Sequence, residues 1–202
     1  MVPGETRFTE SAVRLRRASA AALARIRLRV AVITSPGGQA VHPQVAETLA
    51  AAVEALRAGG YRTETTDLPA LAEAVEAYGH MVMTEFHQSR PLLERLLGEE
   101  GRRYVELAMA LREPVDLAAY LALTARRQGL QRQWAAFFAE YPVALAPVFT
   151  EPVVPAGYDI RGLPEHRQVT EAMRVCTATS FIGVPAVAVP TGISGGQPQG
   201  VQ

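Results

Sequence analysis

The residues able to do chemistry are few: four histidines, one cysteine and a Ser194-Gly195-Gly196 turn, set against twenty arginines and no lysine. The missing lysine excludes a P-loop phosphate lysine, a Schiff base and a Ser-Lys pair within this sequence. Ser194 therefore has no basic amine to activate it and reads as part of a glycine turn. Cys176 could act as a nucleophile with His166, but it falls on an apolar helical face with Val169 and Met173, as a buried structural thiol does. His80 and His87 lie on one predicted helix about 10 Å apart along its axis at 1.5 Å per residue, too far to share one ion easily, and no HExxH is present. They read as pairing or surface residues. Ser35 to His42 could cradle an anion after a strand, yet it lacks GxGxxG and reads as a plain connection with His42 at a helix entry. Arg14, Arg16, Arg17, Arg25, Arg27 and Arg29 form one basic patch that could meet RNA or an acidic partner. No aromatic residue interleaves them, so a solvated helix or linker is the expectation and nucleic acid is not an expected partner.

The elements that would position these groups follow from period and punctuation. Arg27–Thr34 is a β-branched run ended by Ser35-Pro36-Gly37-Gly38, which predicts a buried strand. Val45, Leu49, Val53 and Leu56 then recur at helical spacing up to Gly59-Gly60, and Tyr61–Leu68 reads as a second strand, giving one βαβ unit with parallel strands. Leu71, Val75, Tyr78, Val82 and Phe86 share a helical face expected to pack, with shorter helices at Pro91–Leu97 and Arg102–Leu111. Asp116 should cap a long helix to about Ala139, with Leu117, Tyr120, Leu121, Thr124, Trp134 and Phe138 available for burial. Val143–Ala146 is a buried strand ended by Pro147, and Pro152, Pro155 and Pro164 predict an irregular loop. Gln168–Ser180 reads as one helix with Val169, Met173 and Cys176 inward, and Ala186–Val189 as the last full strand. Gly195-Gly196-Gln197-Pro198 predicts a hairpin connection, with Gly200-Val201-Gln202 as a returning strand. The sequence stops on that strand, where a domain boundary is not expected. Phe149, Thr150, Tyr158, Ser180, Phe181 and Ile182 flank the strand ends where α/β proteins place ligands, and core packing is the alternative for each.

The class is bounded by composition. The chain has 202 residues, is 49% hydrophobic, and carries twenty acidic residues that cancel its twenty arginines, so it can bury a sizeable core and has no overall pull toward polyanions. No apolar run approaches the ~20 residues of a membrane helix. A single cysteine and a start without a secretory pattern point to a reducing, cytoplasmic compartment.

Gly183-Val184-Pro185-Ala186-Val187-Ala188-Val189-Pro190, followed by Pro198-Gln199-Gly200-Val201-Gln202, resembles the C-terminal signature of the amidase signature family of amide hydrolases, Gly-x-Pro-Ala-x-x-x-Pro and then Pro-x-Gly-x-Gln. Tyr141–Pro147 is similar to the family's strand ending in proline, although many members have Asp where Pro142 stands. Asp116–Tyr120 with Arg126 resembles its long helix. Arg29–Val32, Pro43 and Gly59-Gly60-Tyr61 fit its first βα unit. The resemblance covers about Arg27 to Gln202 and implies an α/β fold, a mixed β-sheet flanked by helices, incomplete as it stands; residues 1–26 are an Arg-rich segment before it. The family's nucleophilic Ser, bridging Ser, Lys base and oxyanion loop belong to an N-terminal half that this sequence does not contain, so no catalytic residue is carried over. The implied function is the substrate-side portion of an enzyme that hydrolyses carboxamide C–N bonds through a serine acyl-enzyme. No cofactor or metal is implied, and the 202 residues alone are expected to be inactive. The partners implied are a small-molecule amide, once an N-terminal half completes the site, and other copies of the chain through open sheet edges beside Arg29–Ile33 and Ala186–Val189. The alternatives are a non-catalytic binding module derived from an amidase, or a fragment of the amidotransferase A-subunit that works with tRNA.

Overall fold

The computed structural model describes residues 29–202; the expected Arg-rich segment 1–26 lies outside the described residues. Strand β1 (Arg29–Val32) is the centre of a parallel three-stranded sheet, between β2 (Arg62–Thr65) and β3 (Val143–Leu145), with Val30 opposite Thr63 on one side and Val143 on the other. A strand buried on both faces must be apolar at successive positions. Val30 and Val32 accordingly meet Leu49, Val53, Leu145 and Val201, while Ala31 and Ile33 belong to a larger cluster with Leu71, Leu130, Trp134, Val175 and Phe181.

Helix α1 (Pro43–Ala58) covers the first face. Proline stands in its first turn, and the His42 ring nitrogen Nδ1 accepts the Gln44 N–H at 3.3 Å. The second face is covered by α2 (Leu71–Leu96), α4 (Leu117–Glu140) and α6 (Arg174–Ile182), while α3 (Glu99–Leu111) and α5 (Leu163–Ala172) pack on each other outside them. Asp116 caps α4 as expected, its carboxylate accepting the Ala119 N–H at 2.8 Å. The hairpin of β4 (Val189–Ser194) and β5 (Gln197–Val201) turns at Gly195-Gly196, where φ is positive at both residues. Its end joins the end of β3: Ala146 and Gln202 exchange N–H to C=O bonds at 2.8 and 2.9 Å, so an antiparallel element extends the parallel sheet. The fold is thus α/β with a mixed sheet.

Several expectations are corrected. Ala186–Ala188 is not a strand, which begins only at Val189: among the described residues nothing lies beside Val184–Ala188 to complete a ladder. β1 is a central strand, so the open edge expected beside Arg29–Ile33 is absent. Pro91 starts no helix; α2 runs through it, because Pro91 is exposed and water can meet the carbonyl it leaves unbonded. Gln168–Ser180 is two helices that break at Met173, whose side chain is exposed rather than inward. Leu117, Leu121 and Thr124 are exposed, since the start of α4 projects past its neighbours, whereas Trp134 is buried. The proline-rich loop is irregular as expected apart from one 3-10 turn at Tyr158–Ile160. Among the described residues no helix is long and apolar enough to cross a membrane.

Candidate functional site

The face that the period of α2 collects does not close onto protein. Val75, Tyr78, Val82 and Phe86 line a cavity of about 230 Å³ bounded across the gap by α3 and α6. Met173, just before α6, and Cys176, Thr177 and Ser180 within it repeat at the spacing of one helical face and supply a more polar wall. Gly79 also lines it, and Tyr104 and Leu111 close the side formed by α3. The enclosure is mostly carbon with a few convergent polar groups, as ligand sites are.

His166, 1% exposed, is its buried polar member. Its Nδ1 lies 2.9 Å from the Asp159 carbonyl, which can only accept, so Nδ1 carries the proton and Nε2 is the free lone pair in the neutral ring. Nε2 has no partner among the described residues. The ring stands edge-to-face on Tyr104 at a centroid distance of 4.8 Å, and burial, with the Asp159 charge second, pushes the Tyr104 hydroxyl above its usual range. Cys176 is half-buried at the cavity wall rather than fully buried as expected, and its thiol donates to the Val148 carbonyl at 3.2 Å. His166 and Cys176 border one cavity, yet each is bonded elsewhere, so they form no nucleophile–base pair.

The expected ligand residues are dispersed. Ser180 lines the cavity. Phe149 lines a separate groove with Val154, Pro155, Val169 and Pro198. Thr150 is buried and stitches backbone, donating to Ala172 O at 3.0 Å and accepting from His42 N at 2.9 Å. Tyr158 donates its hydroxyl to Gln168 at 2.7 Å, under the Arg161 guanidinium. Phe181 and Ile182 are buried at the end of α6, where their carbonyls accept from Arg127 at 2.5 Å and Gln131 at 2.9 Å, one turn apart on α4. These two bonds and Gly183 in the left-handed region fix how α6 ends, and hence the wall it presents.

The other chemical candidates resolve locally. The Gly37 N–H that could have met an anion is taken by the Asp67 carboxylate at 3.1 and 3.2 Å. His80 pairs with Glu76 at 3.2 Å, while His87 faces a different groove between the end of α2 and α3. The Ser194 carbonyl accepts from the Gln44 side chain at 2.7 Å. Sequence reasoning missed the cavity. The signal for it was the opposition of a large-residue stripe on α2 to a small polar stripe, Cys176, Thr177 and Ser180, on α6.

The described residues thus form an α/β core with a mixed sheet and a helix-walled, mostly apolar cavity. Residues 6–202 match the Amidase family, and the chain belongs to it. It is similar to indoleacetamide hydrolase of Bradyrhizobium diazoefficiens, 27% identical over 177 residues, which is 87% of this chain and 34% of that protein. Among solved structures it resembles fatty acid amide hydrolase (22% identity, TM-score 0.63, 82% of this chain and 28% of that one). It also resembles the A-subunit of glutamyl-tRNA(Gln) amidotransferase from Thermotoga maritima (21% identity, TM-score 0.60, 86% and 37%). The chain spans about a third of the length of the curated relatives it matches.

Proposed function

We propose that this chain forms the substrate-side wall of a carboxamide-hydrolysing enzyme, and that the cavity between α2, α3 and α6 receives the apolar part of a small amide. In this reading a serine from the catalytic half attacks the amide carbonyl, the C–N bond breaks as nitrogen leaves protonated, and water then cleaves the acyl-enzyme. The nucleophile and its lysine base lie outside these 202 residues; this chain binds and orients. The observation that carries the reading is the cavity itself: at about 230 Å³ it exceeds the ~150 Å³ at which an apolar cavity takes up benzene. Ser180, at its rim, is the expected substrate contact best placed to meet the amide. The exposed apolar residues support the same reading: Val187, before β4, and Val189 and Ile193 on β4 are 72, 50 and 80% exposed and would be covered by elements of the catalytic half. A cytoplasmic location fits the single thiol of this sequence.

The test is a titration with phenylacetamide, followed through the Met83 and Met173 methyl resonances, in the parent chain and in Ser180→Trp. Saturable shifts that Ser180→Trp abolishes are expected. Absence of binding, or binding that Ser180→Trp leaves unchanged, refutes the cavity as the substrate site.

A further inference from the structure

A second feature borders the cavity and is left unused by that reading. Arg174, the first residue of α6, is 7% exposed, yet among the described residues no carboxylate is ion-paired with it. Its Nε donates to the Glu171 carbonyl at 3.0 Å and its Nη1 reaches the Pro36 carbonyl at 3.5 Å. These bonds tie the end of α5 to the loop after β1, but they use only part of the five N–H donors of a guanidinium. Nη2 has no protein acceptor among the described residues. Burying a cation is costly: burial holds the Arg174 guanidinium below its usual range, and the nearby Glu171 charge opposes this only in part.

Arg174 faces a recess of about 480 Å³ with Arg112, Arg167, Thr170, Glu76 and Glu171 on its walls, three cations against two anions. Arg112 is already neutralised, its Nη2 lying 2.7 Å from Glu76, which His80 also approaches. The unanswered charge is thus that of Arg174 and Arg167 against Glu171. Recess and cavity are neighbours that share Val75, Leu111, Arg112 and Thr170 as wall residues. Arg112 can lie across the junction because its neighbour on α2 is Gly79: a Cβ there would fall 2.8 Å from the guanidinium carbon.

We propose that cavity and recess form one two-part site for half-amides, molecules whose apolar body fills the cavity and whose far end is a carboxylate held by Arg174 with Arg167 beside it. A carboxylate there accepts the free donors of a fork already fixed in place by its backbone bonds, which is the geometry that favours arginine over a mobile cation. The proposal rests on the cavity being the acyl site and adds the charge that selects among amides.

The experiment compares two probes on the full 202-residue chain by calorimetry: 4-(carbamoylmethyl)benzoate and the uncharged phenylacetamide. The charged probe is expected to bind at least tenfold more tightly. Arg174→Met should bring the two to parity. Arg167→Glu, an exposed position that leaves every bond of Arg174 in place, should also erase the preference and keeps the test decisive if Arg174→Met does not fold. Equal affinities in the parent chain, or a preference that survives Arg167→Glu or a folded Arg174→Met, overturn the recess as a carboxylate site while leaving the cavity intact. Binding of neither probe overturns the cavity reading and this inference together.

Discussion

Replacing Trp134 by Phe tests how the wall that carries α2 is held. The chain has a single tryptophan, and Trp134 is 1% exposed, packed on Phe138, with its indole N–H donating to the Pro69 carbonyl at 2.8 Å. That carbonyl precedes Ala70, which stands in the left-handed region at φ 48 as the residue before α2. The bond therefore clamps a turn that an L-residue adopts only at a cost. Phe removes the donor, worth about 1 kcal/mol net, and leaves the part-buried acceptor without it. It also opens a void the size of the lost pyrrole ring, which from the range for aromatic truncation amounts to another ~1–2 kcal/mol. The sum is about 2–3 kcal/mol, and with a urea slope near the upper end for small proteins the midpoint should fall by about 1 M. Far-UV circular dichroism is the assay, because the substitution deletes the fluorophore. A midpoint within about 0.2 M of the parent would refute the idea that this bond and ring hold the turn.

Two further outcomes are expected. Glu76 is held below the usual carboxylate range first by its hydrogen bond from Arg112, so the stability this pair contributes is present above the unfolded value of about 4.3 and is lost as pH falls through the lower folded value; Arg112→Met should flatten that part of the acid limb in thermal melts from pH 7 to 3, and an unchanged limb would show that the pair adds nothing. The 202 residues alone should hydrolyse no simple aliphatic or aromatic amide, having no lysine to serve as base; turnover above the blank that survives both Ser194→Ala and Cys176→Ala would reveal a mechanism outside this account.

What could be read from the sequence was local. The apolar run at Val30–Ile33, the proline after His42, the Asp116 cap and the glycine turn at Gly195-Gly196 each depend on residues within a few positions, and each stands as expected. The rest depended on partners. Ala186–Ala188 has strand composition, but a strand is a paired object and nothing pairs with it among the described residues. Periodicity showed that Val75, Tyr78, Val82 and Phe86 share a face, yet it could not say whether that face meets side chains or empty space. Proximity to strand ends gathered Thr150, Phe181 and Ile182 with Ser180, although the first three are engaged through their main chain. Arg174 could not be singled out among twenty arginines, because burial of a charge is a property of packing.

The placement of these contacts separates recognition from chemistry. Four bonds among the described residues set the cavity wall: Arg127 and Gln131 fix the end of α6, Trp134 the start of α2, Asp159 the tautomer of His166. In the proposed reading, substitutions at Met83, Phe86 or Ser180 would change which amide fits without touching the groups that break the bond. A methylene more or less in such a pocket is worth about 1–3 kcal/mol of discrimination. A charged terminus that leaves a buried guanidinium either answered or unanswered discriminates more strongly, since the penalty for the wrong ligand is an unpaired charge rather than a small void. If the cavity and recess bind as proposed, the apolar cavity would admit a range of small amides and the arginines beside it would do the choosing.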